Sequence, residues 1–77
     1  MPTVYREGPF RFVVWPNDHR PPHVHAYNSD GRCIIEIESG YVVETGTVRT
    51  PDVTDAVRIV GRNQQLLLIA WRRIHGV

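Results

Sequence analysis

Alternating apolar and polar positions predict antiparallel strands in the first half of the chain. Residues 10–15 (FRFVVW) are rich in aromatic and β-branched side chains and lie between Gly8-Pro9 and Pro16, which is typical of a strand with a turn at each end. Residues 4–5 either begin this strand early or form a separate short extended piece. Because both faces of residues 10–15 carry large apolar groups, we expect this strand to be central or covered on both sides.

The next predicted strand carries two of the four histidines. Residues 23–27 (HVHAY) alternate strictly, so Val24 and Ala26 point to one face of the sheet and His23 and His25 to the other. If Val24 lies beside Ile35 of the following strand, the histidines lie beside Ile34 and Glu36. Sequence alone leaves this register open.

Turn signals separate the remaining strands. Residues 28–31 (NSDG) end in Asp30-Gly31, which suits a type I′ hairpin turn. Residues 32–38 (RCIIEIE) form the predicted return strand. Residues 41–48 form a fourth strand, which is interrupted or bulged at Gly46.

A helical period replaces the strand period after Thr50. Thr50 is the predicted N-cap, Pro51 the first helical residue and Gly76 the stop. At about 1.5 Å per residue the helix is about 36 Å long, more than a small sheet covers, so either Gly61 breaks it or its end protrudes. Apolar residues cover more than one face of its second half, where a partner chain would dock. The core stripe contains Val53, Val57, Val60, Gln64, Leu67, Trp71 and Ile74.

Length and composition limit the class of protein. A chain of 77 residues forms one domain, which spans residues 1–77. The single cysteine, Cys33, excludes an intrachain disulfide and a four-cysteine zinc site, and it fits a reducing cytoplasm. There is no signal-peptide core and no apolar run of membrane-spanning length, so we expect a cytoplasmic protein with no membrane contact. The formal net charge of +1 implies no strong general attraction to nucleic acid.

The chemistry is concentrated in residues 17–27 (NDHRPPHVHAY), which hold three of the four histidines. One interpretation is a metal site, in which His23 and His25 chelate an ion and Asp18 or His19 supplies a third ligand. A second is metal-free acid–base cleavage of RNA by the histidines. A third is structural, with the histidines holding a proline-rich loop in place.

Arg20 and Glu36 also enter these interpretations. In RNA cleavage, Arg20 steadies the charged phosphate beside the histidines. In the structural interpretation, Arg20 forms an ion pair with Asp18 instead, and the sequence favours that pairing. Glu36 lies near the histidines in one hairpin register.

These residues resemble a known bacterial family, domain of unknown function 4160. The resemblance rests on residues 1–12 (MPTVYREGPFRF), residues 18–25 (DHRPPHVH), Gly31 and the closing Ala70-Trp71, and it covers nearly the whole chain. The family's Leu-Glu-Pro after the glycine turn is absent here, since residues 33–39 read CIIEIES. That difference concerns the end of this strand and leaves the histidine motif unaffected.

The resemblance implies a function and a partner. Members are short bacterial proteins often encoded beside a small protein of another family (domain of unknown function 2442), an arrangement that resembles a toxin–antitoxin pair with this type of chain as the toxin. The polar residues characteristic of the family fall here at Asp18, Arg20, His23 and His25.

Together these arguments predict an α+β domain with a three- to four-stranded antiparallel sheet and one long carboxy-terminal helix packed on one face. We expect the toxin component of a toxin–antitoxin pair that acts on RNA through Asp18, Arg20, His23 and His25, with a cognate small antitoxin-like protein as partner. If it is an enzyme, it is ribonuclease-like, with no cofactor unless a divalent metal is bound. The alternatives are a His-ligated metal-binding protein or a non-catalytic interaction module. That module docks a partner or a second copy through its helix, at Leu67 or Trp71.

Overall fold

Short turns fold the first half of the chain into an antiparallel meander. The computed structural model describes residues 3–76 and contains one sheet in which each strand pairs with the next, in the order β1-β2-β3-β4-β5. The strands are β1 (Thr3–Glu7), β2 (Phe10–Val13), β3 (His23–Asn28), β4 (Gly31–Glu36) and β5 (Val42–Glu44). The α+β class is confirmed, but the sheet has five strands, where three to four were predicted.

The extra strand comes from the ambiguous start of the chain. Residues 3–7 form a separate edge strand because the turn at Gly8-Pro9 folds them back along β2, with Tyr5 opposite Phe12. At the other edge, β5 is only three residues long, and Gly46 lies in the turn after it. The predicted long fourth strand with a bulge at Gly46 is therefore wrong.

The β3–β4 hairpin has the register that places the histidines beside Glu36 and Ile34. His23 pairs with Glu36, Val24 with Ile35, and His25 with Ile34. The type I′ turn is wrong, because no non-glycine residue in the described part of the chain has a positive φ. The turn residues are 29–30, closed by a hydrogen bond of 2.9 Å from the Asp30 N–H to Asn28 Oδ1.

The second half of the chain forms two helices, α1 (Thr50–Arg62) and α2 (Gln64–His75). The predicted single helix is interrupted at Asn63, and Gly61 stays helical. The Asn63 side chain donates to the Ile59 carbonyl at 2.8 Å and to Glu7 at 3.4 Å. It thereby competes with the helical ladder, as asparagine side chains do at helix ends.

The helix start is shifted by one residue from the prediction. Arg49, which has an extended backbone, is the N-cap, and its carbonyl accepts from the Asp52 N–H at 3.0 Å and the Val53 N–H at 2.9 Å. Thr50 is therefore already helical, and Pro51 lies within the first turn, where its missing N–H costs little.

The core lies between one face of the sheet and the two helices. Strands β2, β3 and β4 contribute every second residue to it, as strand alternation requires. The fully buried side chains include Phe12, Val24, Ala26, Cys33, Ile35, Val60 and Leu67. Leu67 and Trp71 belong to this core, so the expectation that a partner docks on them is wrong. The exposed apolar residues of α2 are Leu66 and Ile69.

Within residues 3–76, neither helix has the length and apolar character that crossing a membrane would require.

Candidate functional site

The loop between β2 and β3 places one carboxylate over the start of β3. The Asp18 N–H donates to the Trp15 carbonyl at 3.1 Å, and the Trp15 N–H donates back to Asp18 Oδ2 at 2.9 Å. This reciprocal pair closes the turn and fixes the direction of the side chain. The Asp18 side chain is consequently held in place although the loop around it is irregular.

Two histidines of β3 converge on that carboxylate. His25 Nε2 lies 3.3 Å from Asp18 Oδ1 and 3.2 Å from Oδ2, and His23 Nε2 lies 3.7 Å from Oδ2. One possible ligand atom from each of the three side chains falls within 4.8 Å of the others. Alternation along β3 explains this meeting, because residues two apart share a face. We call these three residues the Asp–His cluster.

Hydrogen bonding settles which nitrogen of His23 faces the cluster. His23 Nδ1 lies 2.9 Å from the Pro21 carbonyl oxygen, which only accepts, so Nδ1 carries the proton. In the neutral ring, Nε2 therefore presents a lone pair toward Asp18. Metal-binding histidines in proteins are commonly oriented in this way, with the second nitrogen donating to a backbone carbonyl.

His25 is more deeply placed than His23. It is 6% exposed, and burial lowers the pKa of its imidazole, although the hydrogen bond and the charge of Asp18 oppose this effect. Its Nδ1 is buried without a hydrogen-bond partner among the described residues. The ring is therefore neutral, and without a bound ion its Nε2–H points at Asp18, which leaves Nδ1 as an unused acceptor.

A fourth histidine, His75 in the last turn of α2, completes the surroundings, and the sequence pattern did not indicate it as a site residue. His75 Nε2 lies 3.1 Å from the Asp18 carbonyl oxygen, and His75 Nδ1 lies 3.0 Å from the Trp71 carbonyl oxygen. Its ring stacks on Trp71 at 3.7 Å, and Trp71 lies 5.3 Å from the ring of His23. A separation of 57 residues between Asp18 and His75 leaves no local signal from which this contact could be predicted.

The Asp–His cluster borders an open cleft of about 480 Å³. Its wall combines charged and apolar side chains from the loop and from β4 and β5, namely Asn17, Asp18, His19, Arg20, Pro21, His23, Ile34, Glu36 and Val43. His25 does not line it. All four predicted site residues therefore fall in one region, but only three of them touch.

Arg20 remains available in this cleft. It is exposed and forms no ion pair with any of residues 3–76, so the favoured pairing with Asp18 is wrong. Asp18 is turned toward the histidines instead, because the Trp15 N–H fixes its carboxylate. Glu36 lines the cleft opposite His23 in the sheet and accepts a 2.8 Å hydrogen bond from Ser39.

The fold and the cluster define a class: a small α+β protein with a two-histidine, one-carboxylate group beside an open cleft. The model of one protein family matches residues 9–72, and the chain belongs to that family, the domain of unknown function DUF4160. The resemblance seen in the sequence is therefore confirmed at the level of the family. Neither a curated protein nor a solved structure matches the chain.

Proposed function

We propose that this chain is the RNA-cleaving, toxin-like member of a bacterial toxin–antitoxin pair, and that Asp18, His23 and His25 hold a divalent metal ion for this cleavage. One observation carries the proposal. Three potential ligand atoms meet at the edge of a cleft, and the Pro21 carbonyl already holds the ring of His23 with its Nε2 directed toward the other two.

Two of the three separations suit an ion of the size of zinc, and the third, between His23 and His25, lies within 4.8 Å. With metal–ligand bonds of about 2.0–2.1 Å, two ligands of a tetrahedral site lie about 3.3 Å apart. The His25–Asp18 distance is 3.2 Å and the His23–Asp18 distance is 3.7 Å. Three protein ligands with one open side are the usual composition of a catalytic zinc site.

The three side chains can ligate such an ion, but ligation by His25 has one energetic cost. If His25 Nε2 ligates, the proton moves to Nδ1, which is buried without an acceptor among the described residues. An unpaired buried donor costs about 1–3 kcal/mol, less than the apparent 10–16 kcal/mol of structural zinc binding. The cost therefore weakens the site but does not abolish it.

The ion supplies Lewis-acid chemistry and lowers the pKa of a bound water. The protein supplies the rest. Arg20, which has no ion pair among residues 3–76, binds a phosphate oxygen in the cleft and stabilises the negative charge that builds there. Glu36 pairs with His23 in the sheet and lines the cleft, and it would accept a proton from the attacking group.

Metal-free cleavage by two histidines suits the geometry less well. Such a mechanism needs one proton-transfer group on each side of the phosphodiester. His23 and His25 lie side by side, with ring centroids 5.3 Å apart, and direct their Nε2 atoms to the same carboxylate. His25 is also too buried to touch a substrate.

Metal binding is tested with untagged protein by isothermal titration with zinc, manganese and nickel. We expect one ion per chain, and a loss of affinity of at least about 100-fold in His23→Ala, beyond the 10–100-fold of second-shell changes. His19→Ala is the matched control, because it removes an exposed histidine of the same loop that lies outside the Asp–His cluster. Equal affinity of the parent and His23→Ala would remove the metal from the proposal.

Cleavage is tested in cells and in solution. Induced expression of the parent should arrest bacterial growth, and His23→Ala and Arg20→Gln should not, with all three proteins soluble and folded. Purified parent should cleave total RNA, lose this activity in a chelator and regain it with added metal. Equal growth of all cultures together with intact RNA would refute the enzyme hypothesis.

A second candidate is a non-catalytic interaction module, favoured by one observation. Asp18 forms hydrogen bonds with Trp15, His25 and His75 at the same time, so the Asp–His cluster is also suited to holding the proline-rich loop in place. In that case His23→Ala would change stability but neither growth nor RNA. The partner in both candidates is a small antitoxin-like protein, and its binding would be measured directly with the two purified chains.

A further inference from the structure

An apolar groove on the outer side of α2 is the most unusual surface feature away from the Asp–His cluster. It has a volume of about 520 Å³ and lies between the edge strand β1 and α2. Its lining consists of Val4, Leu66, Ile69, Ala70 and Arg73, and we call it the α2 groove. Leu66 and Ile69 are 43% and 45% exposed, although each is large and apolar.

The one charged residue among those that line the α2 groove is basic. Arg73 lines it, is exposed and forms no ion pair with any residue of the described range 3–76. Arg72 is exposed in the same last turn of α2, and α2 contains no acidic residue. The carboxylate of β1, Glu7, is already bound by Arg62, Tyr5 and Asn63.

The length of the apolar part of the α2 groove limits the size of the segment that can bind there. Leu66 and Arg73 are seven positions apart, which at 1.5 Å per residue is about 10 Å along the helix. That length accommodates one or two large side chains. A stable protein–protein interface needs about 800 Å² from each partner, which is much more than these few residues offer.

We propose that the α2 groove docks a short amphipathic segment of a partner protein, with one or two apolar anchors followed by an acidic residue that pairs with Arg73. A second copy of this chain is a poorer occupant, because its own α2 would bring more arginine and no carboxylate to the contact. This surface is separate from the cleft, so the partner docks without touching the Asp–His cluster.

The test is selection of random 12-residue peptides displayed on phage against the folded full chain. We expect enriched peptides to combine one or two apolar residues with Asp or Glu a few positions away. Synthetic copies should bind Leu66→Ser/Ile69→Ser at least about tenfold more weakly than the parent, as loss of central anchors does. Arg73→Gln should weaken them a few-fold, with a reduced dependence on salt.

Controls separate this surface from the rest of the molecule. Tyr41→Ser/Val43→Ser removes two apolar side chains that are more exposed than Leu66 and Ile69 and lie at the opposite edge of the sheet, and it should leave peptide binding unchanged. The substituted positions are surface positions, and circular dichroism of each variant checks that the fold is kept.

Three results would overturn the proposal. One is no enrichment, or enrichment of peptides without acidic residues. Another is a dimer of the parent, seen by light scattering, that Leu66→Ser/Ile69→Ser dissociates, because it would assign the groove to a second copy. The last is that the parent sediments with vesicles of anionic phospholipid and Leu66→Ser/Ile69→Ser does not, because this result would assign the groove to a lipid surface.

Discussion

Replacing Asp18 with asparagine tests whether the Asp–His cluster holds its loop in the metal-free protein. The carboxylate accepts from the Trp15 N–H at 2.9 Å and from His25 Nε2 at 3.2 and 3.3 Å. An amide keeps one oxygen but places an NH₂ group where the second oxygen was. Either two donors then face each other, or His25 changes tautomer and buries an Nδ1–H without an acceptor.

Both arrangements leave a buried polar group without a partner, and the energetic cost of that group sets the expected loss of stability. A buried polar group left without a partner costs about 1–3 kcal/mol. In a domain of this size, about 1 kcal/mol corresponds to roughly 4–8 °C in Tm. We therefore expect Asp18→Asn to lower Tm by at least about 4 °C, in buffer with a chelator so that no metal contributes.

The assay is thermal unfolding followed by tryptophan fluorescence and by circular dichroism. Asp55→Asn is the matched control, because Asp55 pairs with Arg58 on the exposed side of α1 and should change stability by less than about 0.5 kcal/mol. If Asp18→Asn is as stable as the parent or more so, the carboxylate is not satisfied by His25 without metal, and the description of the loop is wrong.

Four further outcomes are expected. The hydroxyl of Tyr5 donates to Glu7 and is the main cause that lowers the Glu7 pKa below 4.5, so the parent should lose stability as pH falls from 4.5 through that lower pKa. Urea unfolding of Glu7→Gln should show a smaller loss over the same pH range. Cys33 is fully buried and burial raises its pKa, so a thiol reagent at pH 8 should label it at least about 100-fold more slowly in native protein than in urea. Gly46→Ala should cost about 1–3 kcal/mol by urea unfolding, because φ is +56° there and a Cβ would lie 2.2 Å from a carbonyl oxygen of β4. Gly61→Ala, a helical position with open space around it, should stabilise by up to about 1 kcal/mol.

Local patterns predicted the strand that carries the site. Strict alternation in residues 23–27 placed His23 and His25 on one face, and the structure brings both to Asp18. Alternation works here because each residue of β3 faces either the core or the loop. Where a segment mixes polar and apolar residues without a clear period, as in β1 (Thr3–Glu7), the pattern left open whether residues 4–5 begin the next strand early or form a separate short extended piece.

The remaining differences come from contacts between distant parts of the chain. The helix is interrupted at Asn63 and not at Gly61, and the Asn63 side chain donates both to the Ile59 carbonyl and to Glu7, more than fifty residues earlier. His75 joins the site for the same kind of reason, through the Asp18 carbonyl. Periodicity describes which side of an element is apolar, and it contains no information about such pairings.

The meander has a consequence for the order in which the molecule assembles. Every strand neighbour in the sheet is also a neighbour along the chain, so the sheet closes through short loops of low entropic cost. Some contacts of high sequence separation join a helix to the first half of the chain, as in Asp18–His75 and Glu7–Arg62. Such contacts are the slow part of folding, so the hairpins form first and helix docking follows. The Asp18 loop therefore acquires its final support only when α2 arrives, and its amide hydrogens should exchange together with those of α2 and not with those of β3.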